Sequence, residues 1–387
     1  MCDHWSDKID FGKNNMNPRA IASIVGLLGS AFSFKHGFAG SKSISNISRG
    51  EHVVFFTTHS WYDRHLKTWN IPIHGWVYGL ESRPIVRAMF SELLERKYGL
   101  KKSADTENNF SYRTQLLTAD NEGGKRIVIN LLGRRYPLPK SEPNGHFKSV
   151  IAIAESELDE YFAKTSDSRK EELAFSLVLR PNDTREYIGK SLLIQSSGVS
   201  IISDIDDTVK LSYVTDHKKL FESSFYKDFM PIKGMPELYR GWLQQGAKFH
   251  YVSSSPWQLY EPLQEFMQEH DFPQATFSLK MIRLKDQTFF NLFKSATKTK
   301  PQAIEAILKH YPDRKFVLLG DSGEKDAQVY AQIANDHPEK IAKIYIRNVN
   351  GDQGLDELYC DVFDGLPRIL WQIFENPSEI ETNLPRA

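Results

Sequence analysis

VSIISDIDDT, residues 199–208, is a β-branched run that stops at three aspartates and a threonine. Five of its first residues read as a buried strand, and the polar remainder follows directly. In an open α/β sheet, ligands bind beyond the carboxyl ends of the strands. Asp204, Asp206 and Thr208 are thereby offered to such an edge. Two carboxylates spaced by one residue can share the work of nucleophile and proton carrier. A plain polar turn after a strand would read the same way, so the remainder of the chain has to decide.

Working outward, Lys248–Val252 is a second buried run, ending at Ser253-Ser254-Ser255-Pro256-Trp257. Phe316–Leu319 is a third, running into Gly320-Asp321-Ser322-Gly323-Glu324-Lys325-Asp326. Between them Lys300 stands before Pro301 and the helical spacing Ile304, Ile307, Leu308. Proline suits a first helical turn, which places Lys300 near the positive helix end. The order Asp/Asp, Ser, Lys, Asp/Asp, each at a strand end or helix start, is hard to assemble by chance.

Those residue types suit phosphoryl transfer. A phosphate monoester repels an attacking carboxylate, so positive charge and fixed donors are required. On this reading Asp204 is nucleophile and metal ligand, and Asp206 exchanges the proton with leaving oxygen and water. Thr208 orients the nucleophile, while Ser253 and Lys300 hold phosphoryl oxygens. Asp204, Asp206, Asp321 and Asp326 are the candidate ligands of a hard divalent cation, Mg2+ being the best fit. Lys298 lies two residues before Lys300 and stays open as an alternative.

The set Asp204–Thr208, Ser253, Lys300 and Gly320–Asp326 resembles motifs one to four of the haloacid dehalogenase (HAD) phosphatase superfamily. DIDDTV, YVSSSPWQLYEPLQEF and KFVLLGDSGEKDAQVYAQI are more specific. They resemble the catalytic domain of actin-patch-type phosphatidate phosphatases, relatives of the lipins, over about residues 195–370. IKGMPELY (residues 232–239) resembles that family's segment between its first two motifs, and GWVYG (residues 75–79) is a fainter echo. The resemblance implies Mg2+-dependent hydrolysis of phosphatidic acid to diacylglycerol through an aspartyl-phosphate. Two alternatives stay open: a HAD phosphatase for another phospholipid or small phosphomonoester, and a phosphatidic-acid-binding module without turnover. Related non-catalytic domains lack a complete aspartate pair, and Asp204 with Asp206 argues against the latter.

The fold expected is α/β: a HAD-like Rossmannoid parallel sheet with a small cap over 197–387, preceded by a β-rich sandwich or barrel-like domain over 51–196. In the second half, strands near 199–203, 248–252, 316–319 and 343–346 alternate with helices near 235–244, 262–269, 301–310 and 324–334. About 40 residues between the first two strands leave room for a small helical insertion around Phe221–Phe229. In the first half, Val53–Phe56, Ile71–Tyr78, Phe110–Leu117, Arg126–Leu131, Ser149–Ile153, Ala174–Leu179 and Tyr187–Ile194 read as short strands. One helix is expected near Pro84–Tyr98, with Ile85, Met89 and Leu93 as its core stripe. His59, His74 and His146 are read as surface or hydrogen-bonded core residues.

Composition bounds partners. Length of 387 residues favours two domains. Lys+Arg and Asp+Glu are equal at 49 each, so no net field draws the molecule to nucleic acid. Cys2 and Cys360 make no disulfide framework. Residues 1–50 are a separate segment whose apolar run Ala20–Phe34 is too short for a comfortable membrane span. It reads as an amphipathic or buried helix, or as an export signal if translation starts at Met16. The compartment is therefore open: cytoplasm, peripheral membrane, or export. From Lys280 to Lys300, Lys280, Arg283, Lys285, Lys294, Lys298 and Lys300 stand among Phe289, Phe290, Leu292 and Phe293. Such a stretch suits peripheral contact with an anionic lipid surface, although a solvated face over core aromatics is the plainer reading.

Overall fold

The computed structural model describes residues 43–80, 84–165, 171–281, 299–351 and 353–385. The apolar run 20–34 and residues 282–298, which make up most of the basic, aromatic stretch 280–300 and include Lys298, lie outside them. Ser41–Ala387 forms one compact unit. Among the described residues no helix is long and apolar enough to cross a membrane.

The first part of the chain runs β1 (Glu51–Phe55), β2 (Thr58–Asp63), β3 (Thr68–Gly79), α1 (Pro84–Tyr98), α2 (Glu107–Leu117), β4 (Asp120–Asn121), β5 (Val128–Leu131), β6 (Arg134–Pro137), β7 (His146–Ala154), α3 (Glu155–Thr165), β8 (Glu172–Leu177) and β9 (Ile188–Leu193). β3 pairs antiparallel with β1, β2, β4 and β7. β2 also joins β9, which continues through β8 and β5 to β6. One core fills the space between, with Ile71, Ile73 and Val77 of β3 meeting Ile129, Leu131, Leu173 and Phe175. Alternation of buried and half-exposed residues along β1 and β3 is what a strand with one covered face requires.

Three expectations are corrected here. Residues 110–117 form helix α2, not a strand. Their aromatic and β-branched content suggested a strand, but Phe110, Thr114 and Leu117 recur at helical spacing and are buried. The core stripe of α1 is Phe90 and Leu94, with Val86 and Leu93 partly covered, while Ile85 is 74% exposed and Met89 59%. The helical period was right and its phase was not. α3, packed through Leu158 and Phe162, is a further helix that two apolar residues were too few to announce.

The second part runs β10 (Ser197–Ser203), α4 (His217–Phe225), α5 (Met235–Gln244), β11 (Lys248–Pro256), α6 (Tyr260–Glu269), β12 (Ala275–Lys280), α7 (Thr299–His310), β13 (Asp313–Asp321), α8 (Asp326–Asp336), β14 (Ile341–Arg347), α9 (Leu355–Val362) and β15 (Trp371–Phe374). The strands form a parallel sheet in the order β12-β11-β10-β13-β14-β15. The chain builds outward from β10 to β12, then returns to β13 and builds the other way. β10 and β13 therefore flank the point where strand order reverses, the place where such sheets bind ligands.

Successive residues of β10 serve opposite faces: Val199 and Ile201 join one core, Ile202 the other. The first core holds α4, α5 and α6, and also α1 and α2 from the earlier part, through Phe90, Leu94, Phe110 and Leu117. The first sheet also packs on α6 and the turn before it. The Tyr260 hydroxyl accepts the Thr57 N–H at 2.9 Å, Tyr78 donates to Glu261 at 2.9 Å, and Trp76 stacks on Trp257. His59, His74 and His146 lie along this seam, His146 buried and the other two partly buried, with His59 bonded to His310 at 3.1 Å and His74 to His146 at 2.9 Å. Hydrogen-bonded core histidines are thus the reading that applies.

Arg314 at the start of β13 pins the passage between sheets. Its guanidinium, 3% exposed, donates to Ser200 Oγ at 2.9 Å and to the carbonyls of Gln195 (2.9 Å), Ser197 and Val199 (2.5 Å). Gly198 crosses close to it at φ +106°, a conformation that suits glycine. Arg314→Ala would strand these buried acceptors, and a loss of about 3 kcal/mol in urea-denaturation stability is expected. A loss below about 1 kcal/mol would show that water replaces the guanidinium.

Candidate active site at the strand-reversal point

Asp204 follows β10 and keeps the ladder going, its N–H donating to Leu319 O at 2.9 Å. The chain then turns sharply: the amides of Thr208, Val209 and Lys210 all converge on Ile205 O. Asp207 takes the strained position at φ +53°. Its carboxylate accepts the amides of Ser212 (2.8 Å), Tyr213 (2.9 Å) and Val214 (2.6 Å), and Arg347 donates to its carbonyl at 2.8 Å. Asp207 builds the loop, which frees its two neighbours to face the site.

Asp204 is 1% exposed, and among the described residues its Oδ2 has no polar partner while its Oδ1 has only the ion pair described next. Lys300, in the first turn of α7, supplies charge: its Nζ lies 3.0 Å from Asp204 Oδ1 and 3.8 Å from Glu324 Oε2, and bonds to Asp326 Oδ1. Asp321, the last residue of β13, accepts the amides of Gly323 (2.6 Å) and Glu324 (2.9 Å) on Oδ1, leaving Oδ2 without a partner among the described residues. Asp326 opens α8 and accepts the Asp321 amide at 3.3 Å. A Cβ on Gly320 would fall 2.2 Å from Asp326 Oδ2, so only glycine lets this carboxylate approach the strand end.

Asp204, Asp321 and Asp326 each bring an oxygen within 4.8 Å of the others. Burial raises the pKa of Asp204, Lys300 opposes the rise, and Asp326 and Glu324 add to it. Asp321 is raised by burial and by Asp326. Burial pushes Glu324 up to about 7, against the pull of Lys300. Burial disfavours the Lys300 ammonium, but Asp204 and Asp326 outweigh it and raise its pKa. Buried carboxylates with unpartnered oxygens, carrying more negative charge than one lysine balances, fit a hard divalent cation.

Asp206 does not join that trio. Its Oδ1 takes Ser212 Oγ at 2.7 Å and Lys210 Nζ at 2.8 Å; its Oδ2 takes Ser255 Oγ at 2.6 Å and Ser253 Oγ at 3.3 Å. Burial raises its pKa, yet Lys210 and the hydroxyl donors outweigh burial and leave it lowered, hence ionised. Ser253 sits at the bulged end of β11 and also accepts the Ser255 amide at 2.9 Å. Thr208 is fully buried, and its hydroxyl has no partner among the described residues, so it makes no hydrogen bond to Asp204. Beside Asp206 the mouth is lined by Val214, Leu220, Ser254, Ser255 and Glu324.

The structure therefore brings Asp204, Asp206, Ser253, Lys300, Asp321 and Asp326 to one sheet edge. Sequence reasoning missed Glu324, Ser255, Ser212 and Lys210. Glu324 lay three residues from Asp321 within a noted string, and Lys210 two residues past Thr208, a lone lysine between Val209 and Leu211.

Residues 199–348 match the family model described as phosphatidate phosphatase APP1, catalytic domain. An uncharacterized protein of Schizosaccharomyces pombe is 34% identical over 171 residues, covering 43% of this chain and 28% of that protein. Phosphatidate phosphatase APP1 of Saccharomyces cerevisiae is 38% identical over 155 residues, covering 39% of this chain and 26% of that protein. The chain spans about a quarter of the length of these relatives. D,D-heptose 1.7-bisphosphate phosphatase from B. bronchiseptica, solved with magnesium and phosphate, aligns at 14% identity. That alignment covers 46% of this chain and 93% of that one, with a TM-score of 0.30.

Proposed function

We propose, from the premise that residues 199–348 are a catalytic domain of the APP1 phosphatidate phosphatase type, that this chain hydrolyses phosphatidic acid to diacylglycerol and phosphate. The fold assignment that goes with this is HAD-like, with the α4 segment as a small cap. The observation that carries it is the buried Asp204 carboxylate at the strand-reversal point, with Lys300 Nζ 3.0 Å from Oδ1 and no partner on Oδ2 among the described residues.

In this reading a carboxylate oxygen of Asp204 attacks phosphorus. The ester P–O bond breaks, and its electron pair leaves on the diacylglycerol oxygen, which Asp206 protonates. Asp206 is ionised in the resting site, so it first needs a proton; a substrate arriving as the monoanion brings one, since a phosphomonoester titrates near pH 6. Asp206 then deprotonates a water that cleaves the aspartyl-phosphate, freeing phosphate and restoring Asp204. Ser253 and Lys300 hold phosphoryl oxygens. Asp204, Asp321 and Asp326 would hold Mg2+ through their side chains. Bound there, Mg2+ supplies the positive charge that a dianionic ester and a carboxylate need to meet.

The test is phosphate release from phosphatidic acid in mixed micelles beside other phospholipids and an aryl phosphate. Turnover confined to phosphatidic acid supports the proposal. Turnover of the other esters moves it to a broader phosphatase, and binding without turnover to a lipid-sensing module. EDTA is expected to silence release. Mg2+ is also expected to raise the melting temperature by several degrees, because it binds only the folded cluster of carboxylates. An unchanged melting temperature in EDTA and in Mg2+ would remove the metal from the site. Contact with an anionic lipid surface through residues 280–300 is part of the same proposal, tested by vesicle co-sedimentation.

A further inference from the structure

The Asp206 carboxylate is gripped on both oxygens, and one of the gripping groups is a cation with no role in phosphoryl binding. Lys210 is 2% exposed, and its Nζ pairs with Asp206 Oδ1 at 2.8 Å and bonds to Ser212 Oγ. Burying an ammonium costs several kcal/mol unless it is well paired, so its presence here is an investment in geometry or charge. Its surroundings are specific. The ammonium lies 4.8 Å from the centre of the Phe229 ring. The Arg113 guanidinium of α2 lies 3.7 Å from the same ring and donates to the carbonyls of Ser224 (3.3 Å) and Lys227 (2.6 Å). Asn109, one turn earlier in α2, donates to Asp228 at 2.8 Å. Helix α2 thus fixes the 224–229 segment, that segment fixes Phe229, and Phe229 confines the lysine.

With Lys210 and Ser212 on Oδ1 and Ser255 on Oδ2, the carboxylate has one orientation in which every donor is used. We propose that Lys210 is a positioning residue: with Ser212 it locks Asp206 facing the reacting oxygen, and Phe229, held by Arg113 of α2, sets where the ammonium stands. The proposal rests on the reading of Asp206 as the proton carrier. It also gives the earlier part of the chain a share in catalysis, through a helix that touches no substrate.

Lys210→Met keeps the shape of the side chain and removes its charge; Ser212→Ala removes a tether with little change in volume. Each is assayed on phosphatidic acid, whose alkoxide must be protonated as it leaves, and on p-nitrophenyl phosphate, whose leaving group needs no proton. For Lys210→Met, single-turnover release of the leaving group, the step before the aspartyl-phosphate common to both esters is hydrolysed, is expected to slow about 100-fold for phosphatidic acid and less than about 3-fold for the aryl ester. Ser212→Ala should show the same contrast at about 10-fold. Equal losses on both esters, or none, overturn the proposal. Crystal structures of wild type and variants give a reading independent of turnover. A rotated Asp206 in either variant supports the proposal, and an Asp206 superposing on wild type in both overturns it. If wild type releases phosphate from neither ester, the phosphatase reading falls, while the crystal comparison still decides the role of Lys210. If Lys210→Met does not fold, Ser212→Ala carries both measurements.

Discussion

Asp204→Asn is expected to lower phosphate release by about four orders of magnitude or more while making the metal-free protein no less stable. The first half follows from chemistry: an amide oxygen does not attack phosphorus, and loss of a nucleophile removes the reaction path, not an increment of binding. The second follows from the site. Asp204 is fully buried, and Asp326, Glu324 and Asp321 all repel its charge, with Lys300 alone in opposition. A neutral amide of the same shape relieves that repulsion, and Lys300 keeps Asp326 as its bonded partner. In EDTA the melting temperature should stay level or rise, and the increment produced by Mg2+ should shrink. Wild-type turnover in Asp204→Asn would end the nucleophile assignment. A melting temperature many degrees lower would mean that this carboxylate holds the fold.

The second large effect is acid lability at the seam. Burial lowers the pKa of His59 to about 3, of His146 to about 3 and of His310 to about 4. Burial also takes His74 and His250 well below the ordinary value. All five are neutral in the folded protein at pH 5, whereas in the unfolded chain they protonate below about 6.5. The unfolded state therefore binds more protons, and stability falls as pH drops from about 6.5 toward 4. Each ring contributes about 1.4 kcal/mol per pH unit through that window, against a total stability of about 5–15 kcal/mol. Glu324, raised to about 7, acts in the opposite sense over the same range. Variants separate the two. Glutamine at His74, His146 or His310 should each flatten the slope of unfolding free energy against pH, between 6.5 and 5, by about 1.4 kcal/mol per unit. Slopes equal to wild type would mean that these rings titrate normally.

How far the chain could be read without coordinates depended on whether a residue's neighbours in space were also its neighbours in sequence. Four of the six parallel strands, β10, β11, β13 and β14, were legible as short apolar runs, and Asp204, Ser253 and Asp321 stand where three of them end in polar residues; β12 and β15 were not read. Lys300 was legible from the proline beside it. α2 was not, because Phe110, Tyr112 and Thr114 also alternate as a strand would, and the rings Phe110 packs on include Tyr226, over a hundred residues away. The same holds for Lys210. A lysine between two apolar residues reads as a surface charge until Asp206, Ser212 and Phe229 are seen to enclose it. Asp206 itself was placed with the metal ligands because spacing cannot tell which way a carboxylate turns.

The stacking of Trp76 on Trp257 and of Phe90 against Phe225 has a practical corollary for anyone trimming this protein. Residues 199–348, expressed alone, would display bare aromatic rings to solvent where α1, α2 and β3 now cover them. Such a fragment is expected to aggregate, and its inactivity would say nothing about the aspartates it carries.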